Sequence, residues 1–552
     1  MIKLQKKNKE ERNMKNSKRV VSLLLVAVMA MGCFVGCKKK EEKRGERTLT
    51  VGVPQDTMIP DYDTNALTRY LESETGIDIQ WVFFSGTASN YQQQLALSCV
   101  GKEKMPDVLL GFRGLGHYTV NQFGEDGYII DLRDLIDKYA VNYKKALAAQ
   151  EEKVQKYVEE KGTNTVDGGF YSMPFLANVP GNDWMQSLVY INQTWLDKLG
   201  LQKPTNNAEL EAVCEAFITK DPNGNGQDDE IAMLGGGDLR YWLINSYIQY
   251  DANNFNVTNG KVWDPVTTPE FRKALQWVNE LTKKQYYNEL GYTVSAVEMK
   301  NLISPLEGIG SVGIFCGNHE VMTNAGSNAL KDYSALGVLA DATGKGGYNI
   351  IDEPYNYIHW SGLITKDCED TKLAMEFLDA FYTDEQVSRA RYGEKDVHWK
   401  YEEGNNIYGS KSYVKVIDSQ AFFDGSKNAT LGTLLGCHTA WNYMNVYTEG
   451  TDRNAQIDRL HKEQWEIYNN SGKKTEGQLS GLIYSAEEYE VRETKAGEVA
   501  SYLSSQELLF SQGELDVKDD KVWKDFQDTL KSLGREELMK IAQSAYDRKE
   551  GK

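Results

Sequence analysis

Alternation between strand-like and helix-like patterns near the start of the chain restricts its fold more than any other feature. Short stretches with β character are separated by segments whose apolar residues recur at helical spacing. In order, the sequence predicts a strand at 48–53, a helix at 64–75 that ends before Gly76, a strand at 77–84, a helix at 91–100 and a short strand at 106–110. Elements that alternate at this spacing form parallel βαβ units. We therefore expect an α/β fold with parallel-type sheets flanked by helices.

The loops that follow these strands are the expected ligand-binding positions. Open parallel sheets bind their ligands beyond the carboxyl ends of the strands. Three such loops are predicted, at 54–56, 84–86 and 111–114, and the third contains Arg113.

A second set of elements follows Pro174. The patterns predict a strand at 188–191, helices at 192–200, 207–219 and 371–382, and a mostly helical region from residue 486 onward. No internal repeat of fixed period is present. With 552 residues, this organisation predicts two to four domains.

The first 47 residues have the composition of an export signal. Lys15, Lys18 and Arg19 precede an apolar run at 20–35, which is shorter than the roughly 20 residues of a spanning helix. A positive segment followed by a short apolar one is typical of a secretory signal peptide. Phe34-Val35-Gly36-Cys37 resembles a bacterial lipobox, in which the cysteine becomes the mature N-terminus and carries fatty acyl chains such as palmitate.

We therefore predict a signal peptide at 1–36, lipidation of Cys37 and a charged tether at 37–47. Cys33 lies in a similar setting and is the alternative lipidation site. An ordinary cleaved signal with a chance cysteine is the simpler interpretation. Lipidation places the protein outside the cytoplasm and anchored to the cell membrane.

Charge and cysteine content exclude several functional classes. The formal net charge is −18, and removal of the cationic leader makes it more negative. Nucleic-acid binding needs clustered Lys and Arg, so no nucleic-acid partner is expected. The seven cysteines form no CxxC pair, which argues against a zinc ribbon or a redox motif. Most of them are expected to be small buried residues.

Several stretches together resemble the extracellular solute-binding proteins of bacterial ABC importers, and in particular the large lipoprotein subgroup that takes up oligosaccharides. The resemblance covers nearly all of the mature chain. It is carried by Leu49-Thr-Val-Gly-Val53, Asp61–Asn65, Tyr70–Asp78, Met105-Pro-Asp-Val108, Tyr190–Gly200, Lys220–Glu230, Ile364–Cys368, Ala374–Asp379, Tyr392–Trp399 and Gln543–Arg548.

This resemblance implies a two-lobed, type II periplasmic-binding-protein-like clamp. Lobe 1 would comprise 48–187 plus about 358–425, and lobe 2 would comprise 188–357 plus about 426–552. An oligosaccharide would bind between the lobes and pass to ABC permease subunits, and the protein would be a monomer. No bond would be made or broken, so the chain would not be an enzyme.

The segment Asp221–Glu230 begins as an EF-hand loop does. Oxygen-bearing side chains occupy positions 1, 3 and 5, and Gly226 occupies position 6. The full pattern needs Glu at position 12, where Ala232 stands. Asp229 and Glu230 can replace it in a shorter loop. An Asn-Gly turn without a metal is the alternative interpretation.

Members of the resembling subgroup bind calcium with this shorter loop. The resemblance therefore implies a structural Ca²⁺ ion away from the sugar. Its ligands would be Asp221, Asn223, Asn225, Gln227 through its carbonyl oxygen, Asp229 and Glu230.

Aromatic residues are the expected sugar contacts, because Trp and Tyr combine a flat apolar face with a polar group. The chain has 11 Trp and 32 Tyr. The candidate ligand contacts lie beyond a strand end, at an expected crossing between the lobes, after a glycine turn, or in polar, loop-like surroundings: Arg113, Trp184, Trp242, Trp360, Trp399 and Trp441. By contrast, Trp195 and Trp277 lie within helical patterns and are expected in the core.

Two alternative functions use the same features. Abundant carboxylates are compatible with a lipid-anchored glycoside hydrolase or lyase, which needs two acids roughly 5–10 Å apart in space. A peptide-binding clamp of the same build is the other alternative. A dinucleotide site at 308–313 is not expected, because a strand rather than a helix follows this GxGxxG match.

Overall fold

The computed structural model describes the chain from Arg47 to Lys552 with short gaps. The gaps are 57–58, 102–103, 113–114, 151, 166, 175, 177–183, 186–187, 252–254, 308, 318, 325, 341–345, 349–350, 353–359, 406–410, 419–427, 429–445, 448–452, 471–478 and 480–481. The signal peptide, most of the tether and the lipidation candidates Cys33 and Cys37 lie outside the described residues.

The chain forms two compact units. Unit 1 comprises Met1–Val179, Tyr355–Asn406 and Lys411–Tyr447. Unit 2 comprises Pro180–Pro354, Ile407–Ser410 and Thr448–Lys552. The chain therefore passes from one unit to the other several times.

Unit 1 contains a five-stranded sheet. Its strand order is Asp78–Phe84, Thr48–Pro54, Val108–Leu109, Trp360–Ile364 and Met173–Pro174. The first three strands are parallel. The fourth runs antiparallel to both of its neighbours. The predicted parallel βαβ arrangement at the start of the chain is thus confirmed.

The first helix of unit 1 begins and ends where its sequence signals predict. The side chain of Asn65 accepts a hydrogen bond from the backbone N–H of Leu67 and so caps the helix Ala66–Thr75. Gly76 ends this helix in the left-handed conformation that glycine adopts readily. The remaining helices of unit 1 are Ala88–Val100, His117–Glu125, Arg133–Tyr139, Val141–Ala148, Glu152–Gly162, Thr371–Asp379 and Asp384–Tyr392.

The core of unit 1 forms around the central strands of its sheet. Val51, Val108 and Ile364 are fully buried there, and Phe377 packs against them from the helix Thr371–Asp379. A smaller three-stranded sheet, Trp399–Asn405, Lys411–Val416 and Val446–Tyr447, completes the unit.

Unit 2 contains its own five-stranded sheet. The strand order is Tyr287–Asn288, Ile231–Leu234, Val312–Cys316, Val189–Asn192 and Tyr333–Ala335. The first three strands are parallel. The strand Val189–Asn192 is antiparallel to both of its neighbours. Both sheets therefore combine parallel strands with an antiparallel one.

Helices make up most of the rest of unit 2. They are Gln193–Leu199, Asn207–Thr219, Gly237–Ile244, Pro269–Lys283, Ala296–Ile303, Ala329–Asp332, Arg453–Asn470, Ala486–Gln512, Asp520–Ser532 and Arg535–Lys549. The predicted helix at 207–219 and the helical C-terminal region are confirmed. Two-stranded pairings join Trp184–Met185 to Ile351–Asp352 and Asn256–Thr258 to Lys261–Trp263.

Four cysteines of the described residues, Cys99, Cys214, Cys316 and Cys368, are buried, as predicted for small apolar residues. Within the part of the chain that the structure describes, no helix has both the length and the apolar character of a membrane span.

Candidate functional site

In unit 1, the ends of the parallel strands lie along one edge of the sheet. Pro54 is paired with Phe84 at the ends of two neighbouring strands, and the adjacent strand ends at Leu109. The strand Trp360–Ile364 begins at the same edge, because it runs antiparallel to Val108–Leu109 and its later residue Leu363 pairs with Leu109. The backbone of Trp360 therefore lies at the edge where ligands of such sheets bind.

Phe83 is an aromatic residue at this edge that the sequence reasoning did not select. Its side chain is 48% exposed although it belongs to a strand. The ring of Tyr62 packs edge-on against it, with the ring centroids 4.8 Å apart. No alternation along 78–84 could have identified it, because Val82 and Phe83 are both exposed and would lie on opposite faces of a regular strand.

Two of the predicted tryptophans lie in hydrophobic cores. Trp242 is 3% exposed within the core of unit 2, and Trp399 is fully buried. The indole N–H of Trp399 donates to the carbonyl oxygen of Gly393 at 2.9 Å. Trp195 and Trp277 are also buried, as predicted. Neither Trp242 nor Trp399 presents an indole face to solvent.

Of the remaining predicted contacts, the structure describes the backbone of Trp184 alone. The backbone of Trp184 pairs with Asp352 in a two-stranded sheet. Arg113 and Trp441 lie outside the described residues.

In unit 2, two glycine-containing loops meet at the carboxyl ends of the parallel strands. One loop follows Leu234, and the other follows Asn288. A Cβ atom on Gly291 would lie 2.3 Å from the carbonyl oxygen of Gly235, so a larger residue there would displace the backbone. Glycine at 291 thus permits the two loops to touch.

A hydrogen-bonded network of Tyr287, Tyr292, Arg240 and Glu507 fixes the positions of these loops. The hydroxyl of Tyr287 donates to the carbonyl oxygen of Gly236 at 2.9 Å and lies 2.8 Å from the hydroxyl of Tyr292. Arg240 donates to the hydroxyl of Tyr292 at 3.2 Å and to the carboxylate of Glu507. The loops at the ligand edge are therefore connected to the C-terminal helices.

Two histidines that the sequence separates by 142 positions also meet in unit 2. The rings of His319 and His461 lie edge to face, with their centroids 5.0 Å apart. His319 follows the strand Val312–Cys316, and His461 belongs to the helix Arg453–Asn470. Sequence spacing gave no signal of this pair, because the contact joins distant segments.

The 221–230 loop lies at the opposite edge of the unit 2 sheet, since it precedes the strand Ile231–Leu234. The carboxylate of Asp221 accepts hydrogen bonds from the backbone N–H groups of Gly224, Asn225 and Gly226. Gly226 has a φ of 74°, which favours glycine at the predicted turn position.

Among the described residues, amide groups are the partners of the carboxylates of Asp221 and Asp229. The carboxylate of Asp229 accepts hydrogen bonds from the side-chain amides of Asn223 and Asn225, each at 3.1 Å. A buried carboxylate oxygen of Glu230, Oε1, has no hydrogen-bond partner in the part of the chain that the structure describes. Burial, together with the charges of Asp229 and Asp221, raises the pKa of Glu230. These oxygens fit a hard cation such as Ca²⁺.

Carboxylates alone do not form the site. In the described ranges, no three His, Cys, Asp or Glu side chains converge as a metal-binding group. A cation in this loop would therefore also need the asparagine and carbonyl oxygens.

Two α/β units of this construction define a type II periplasmic-binding-protein-like fold, which confirms the predicted fold class. Residues 57–388 match the family model for bacterial extracellular solute-binding proteins. This match covers more than half of the 552 residues, so the chain belongs to that family, as predicted from its sequence.

The relatives extend this comparison. The fructooligosaccharide ABC transporter substrate-binding protein FusA of Streptococcus pneumoniae serotype 4 is 30% identical over 258 residues, which is 44% of this chain and 45% of FusA. The chain spans about half the length of the curated relatives of this kind.

Solved structures show the same fold. The HMO-binding, ABC-transporter-associated solute-binding protein of Bifidobacterium longum infantis has a TM-score of 0.71 at 20% identity, over 91% of this chain and 99% of that one. An EF-hand mutant of S. pneumoniae FusA in complex with fructo-nystose has a TM-score of 0.71 at 19% identity, over the same shares.

Proposed function

We propose that this chain is the substrate-binding lipoprotein of an ABC transporter, which captures an oligosaccharide and delivers it intact to the membrane permease subunits. Membership of the extracellular solute-binding family carries this proposal. The relative FusA, a fructooligosaccharide-binding protein by name, supports an oligosaccharide as the ligand. The chain then acts through binding alone and catalyses no reaction.

The proposed ligand contacts are aromatic and planar side chains expected from the sequence, together with Phe83 at the edge of the unit 1 sheet. They are Phe83, Arg113, Trp184, Trp360 and Trp441. Trp242 and Trp399 are assigned to the cores instead, because both are buried. Aromatic faces stack on the C–H faces of sugar rings, and the arginine supplies hydrogen bonds to hydroxyl groups.

Titration calorimetry combined with mass spectrometry tests this function. Purified protein is titrated with fructo-oligosaccharides, pectin fragments and milk oligosaccharides. The sugar is recovered after incubation, and its molecular mass is measured by mass spectrometry. We expect saturable 1:1 binding of one class and recovery of the sugar at its original mass. Shortened products would instead establish a hydrolase or lyase, and binding of a peptide pool alone would establish a peptide clamp.

We further propose that the 221–230 loop holds one Ca²⁺ ion. Asp221, Asn223, Asn225, Asp229 and Glu230 would supply side-chain oxygens, and Gln227 would supply its carbonyl oxygen. When bound, the ion supplies positive charge that neutralises the loop and stabilises its conformation. The EF-hand mutant described for FusA supports this assignment.

The membrane anchor is proposed at Cys37. Labelling of producing cells with radioactive palmitate tests it. We expect Cys37→Ser to abolish the label on this protein and Cys33→Ser to retain it. The reverse pattern would assign the anchor to Cys33, and a labelled double variant would exclude both.

The proposed lobes are 48–187 with about 358–425, and 188–357 with about 426–552. The two compact units change at residues 179–180 and 354–355, which supports the first two boundaries to within about ten residues, and they change again at 447–448, later than the proposed 425–426. We propose a monomer in solution, which light scattering coupled to size-exclusion chromatography tests against the 62.4 kDa of the chain.

A further inference from the structure

A cavity in the C-terminal part of unit 2 is lined by none of the proposed sugar or metal contacts. It has a volume of about 200 Å³ and lies beside the helices Ala486–Gln512 and Arg535–Lys549. Its walls are mostly apolar and include Phe255, Leu482, Val499, Leu538 and Ala542. An apolar cavity of about 150 Å³ stays dry and binds benzene. This cavity is therefore large enough for an aromatic ring.

One of the two arginines that line the cavity is electrically balanced. The guanidinium of Arg535 donates to both carboxylate oxygens of Asp264, at 2.9 and 3.0 Å. It lies 4.5 Å from the ring centroid of Phe255, and its side chain is 5% exposed. This bidentate pair leaves no net charge at that wall of the cavity.

The second arginine, Arg492, is differently placed. Its guanidinium lies 4.1 Å from the ring centroid of Tyr484, which also lines the cavity. Within the described ranges, no carboxylate forms an ion pair with Arg492. The nearby carboxylate of Glu488 pairs with Arg548 at 2.8 Å. A positive charge without a counter-ion in the described chain thus borders an apolar cavity.

We propose that this cavity binds a small aromatic monocarboxylate, with the ring among the apolar side chains and the carboxylate on Arg492. Burial of the ring supplies the apolar part of the binding free energy. A guanidinium binds a carboxylate through two parallel hydrogen bonds. This lining suits an aromatic ring better than a sugar, because most of it is apolar and a sugar has many hydroxyl groups that need hydrogen-bond partners when buried.

Titration calorimetry of the full purified protein with 3-phenylpropanoate tests the proposal. The alcohol 3-phenyl-1-propanol is the neutral control, because it has the same ring and chain length. We expect saturable binding of the acid, about tenfold tighter than that of the alcohol. No saturable heat with the acid, or equal affinities for the two compounds, would overturn the proposal.

Two charge variants test the role of Arg492. Arg492→Gln is expected to weaken the acid about tenfold and to leave the alcohol unchanged. Lys540→Gln is the matched control, since it removes an exposed cation from the helix Arg535–Lys549 that does not line the cavity. Equal losses of affinity in both variants would indicate general surface electrostatics and contradict the site.

A cavity-filling variant tests whether the aromatic ring of the ligand binds in this cavity. Ala496 lines the cavity and is half-buried, so Ala496→Trp is expected to block both compounds. Circular dichroism establishes that the variant is folded. If it is folded and still binds the acid as the wild type does, the cavity is not the site. If it is unfolded, the two charge variants alone decide whether the cavity is the binding site.

Discussion

The guanidinium of Arg240 lies 2.8 Å from the carboxylate of Glu507, and both side chains are almost completely buried. Tyr250 donates its hydroxyl hydrogen to the other carboxylate oxygen of Glu507. Arg240 belongs to the helix Gly237–Ile244, which follows a central strand, and Glu507 belongs to the helix Ala486–Gln512. This ion pair therefore connects the C-terminal helices to the sheet of unit 2.

Glu507→Ala is expected to destabilise the protein strongly. Burial raises the pKa of Glu507, and the charge of Arg240 opposes that effect. Loss of the carboxylate leaves the buried guanidinium unpaired, at a cost of about 3–5 kcal/mol in the free energy of unfolding. Urea denaturation measures this loss.

Glu280→Ala is the control for that variant. Glu280 pairs with Lys518 at 3.1 Å, but both side chains are at least half exposed. An exposed pair contributes at most about 1 kcal/mol. If the two variants lost equal stability, the burial of the Arg240–Glu507 pair would not matter.

His117 is expected to make the protein sensitive to acid. Burial, followed by the charge of Lys161, lowers the pKa of His117 to about 3. Its Nε2 atom lies 2.6 Å from the carbonyl oxygen of Lys161. In the unfolded chain the imidazole has a pKa of about 6.5. Only the unfolded state then gains a proton between pH 6.5 and about 3, so stability decreases as pH falls through this range.

The variant His117→Gln removes this proton linkage. We expect the wild type to lose up to about 1.4 kcal/mol more per pH unit than the variant across this range. Urea denaturation at pH 7, 6, 5 and 4 measures the difference. Parallel pH profiles would show that His117 is not a source of acid sensitivity.

Local sequence patterns predicted individual helices and strands well. They did not predict which distant segments pair with one another. The helix Asn207–Thr219 agrees with its prediction at both ends, since Asn206 caps it by accepting a hydrogen bond from the N–H of Glu209. The helix Ala88–Val100 begins three residues earlier than predicted, because its first turn is polar. The strand Trp360–Ile364 pairs with Val108–Leu109, where Leu363 lies opposite Leu109 although 254 positions separate them in the chain (363 − 109), and no local pattern specifies that neighbour.

The predicted binding residues illustrate the same limit. Trp399 follows His398 in a polar stretch, which favoured a surface position. It is nevertheless buried, because its strand pairs with Lys411–Val416 and its indole is hydrogen-bonded to Gly393. Exposure depends on which segment covers a residue, and sequence spacing does not give that information. The His319–His461 contact escaped prediction for the same reason.

The 221–230 loop is expected to couple stability to calcium. If the loop binds Ca²⁺, the ion stabilises the folded state by about 2.7 kcal/mol at a hundredfold excess over its Kd. Thermal unfolding in calcium and in chelator measures the shift. Asp229→Ala is expected to abolish it, because Asp229 accepts hydrogen bonds from both loop asparagines.

Asp228→Ala is the matched control for the calcium shift. Asp228 is an exposed neighbour outside the proposed ligand set, so its variant should keep the shift. Elemental analysis of the purified protein provides a second readout. Absence of calcium from the protein, together with equal melting temperatures in calcium and chelator, would exclude the site.

Trp360→Ala is expected to weaken oligosaccharide binding about tenfold or more, which corresponds to at least about 1.4 kcal/mol. The strand Trp360–Ile364 begins at the edge where the parallel strands of unit 1 end, and an indole offers a large flat apolar face to a sugar ring. Trp263→Ala is the control, because Trp263 is a half-buried tryptophan hydrogen-bonded to Thr258 in a separate two-stranded sheet. Calorimetry with the sugar that the wild type binds measures both variants. A loss of affinity with Trp263→Ala alone, or with neither variant, would remove Trp360 from the proposed ligand contacts.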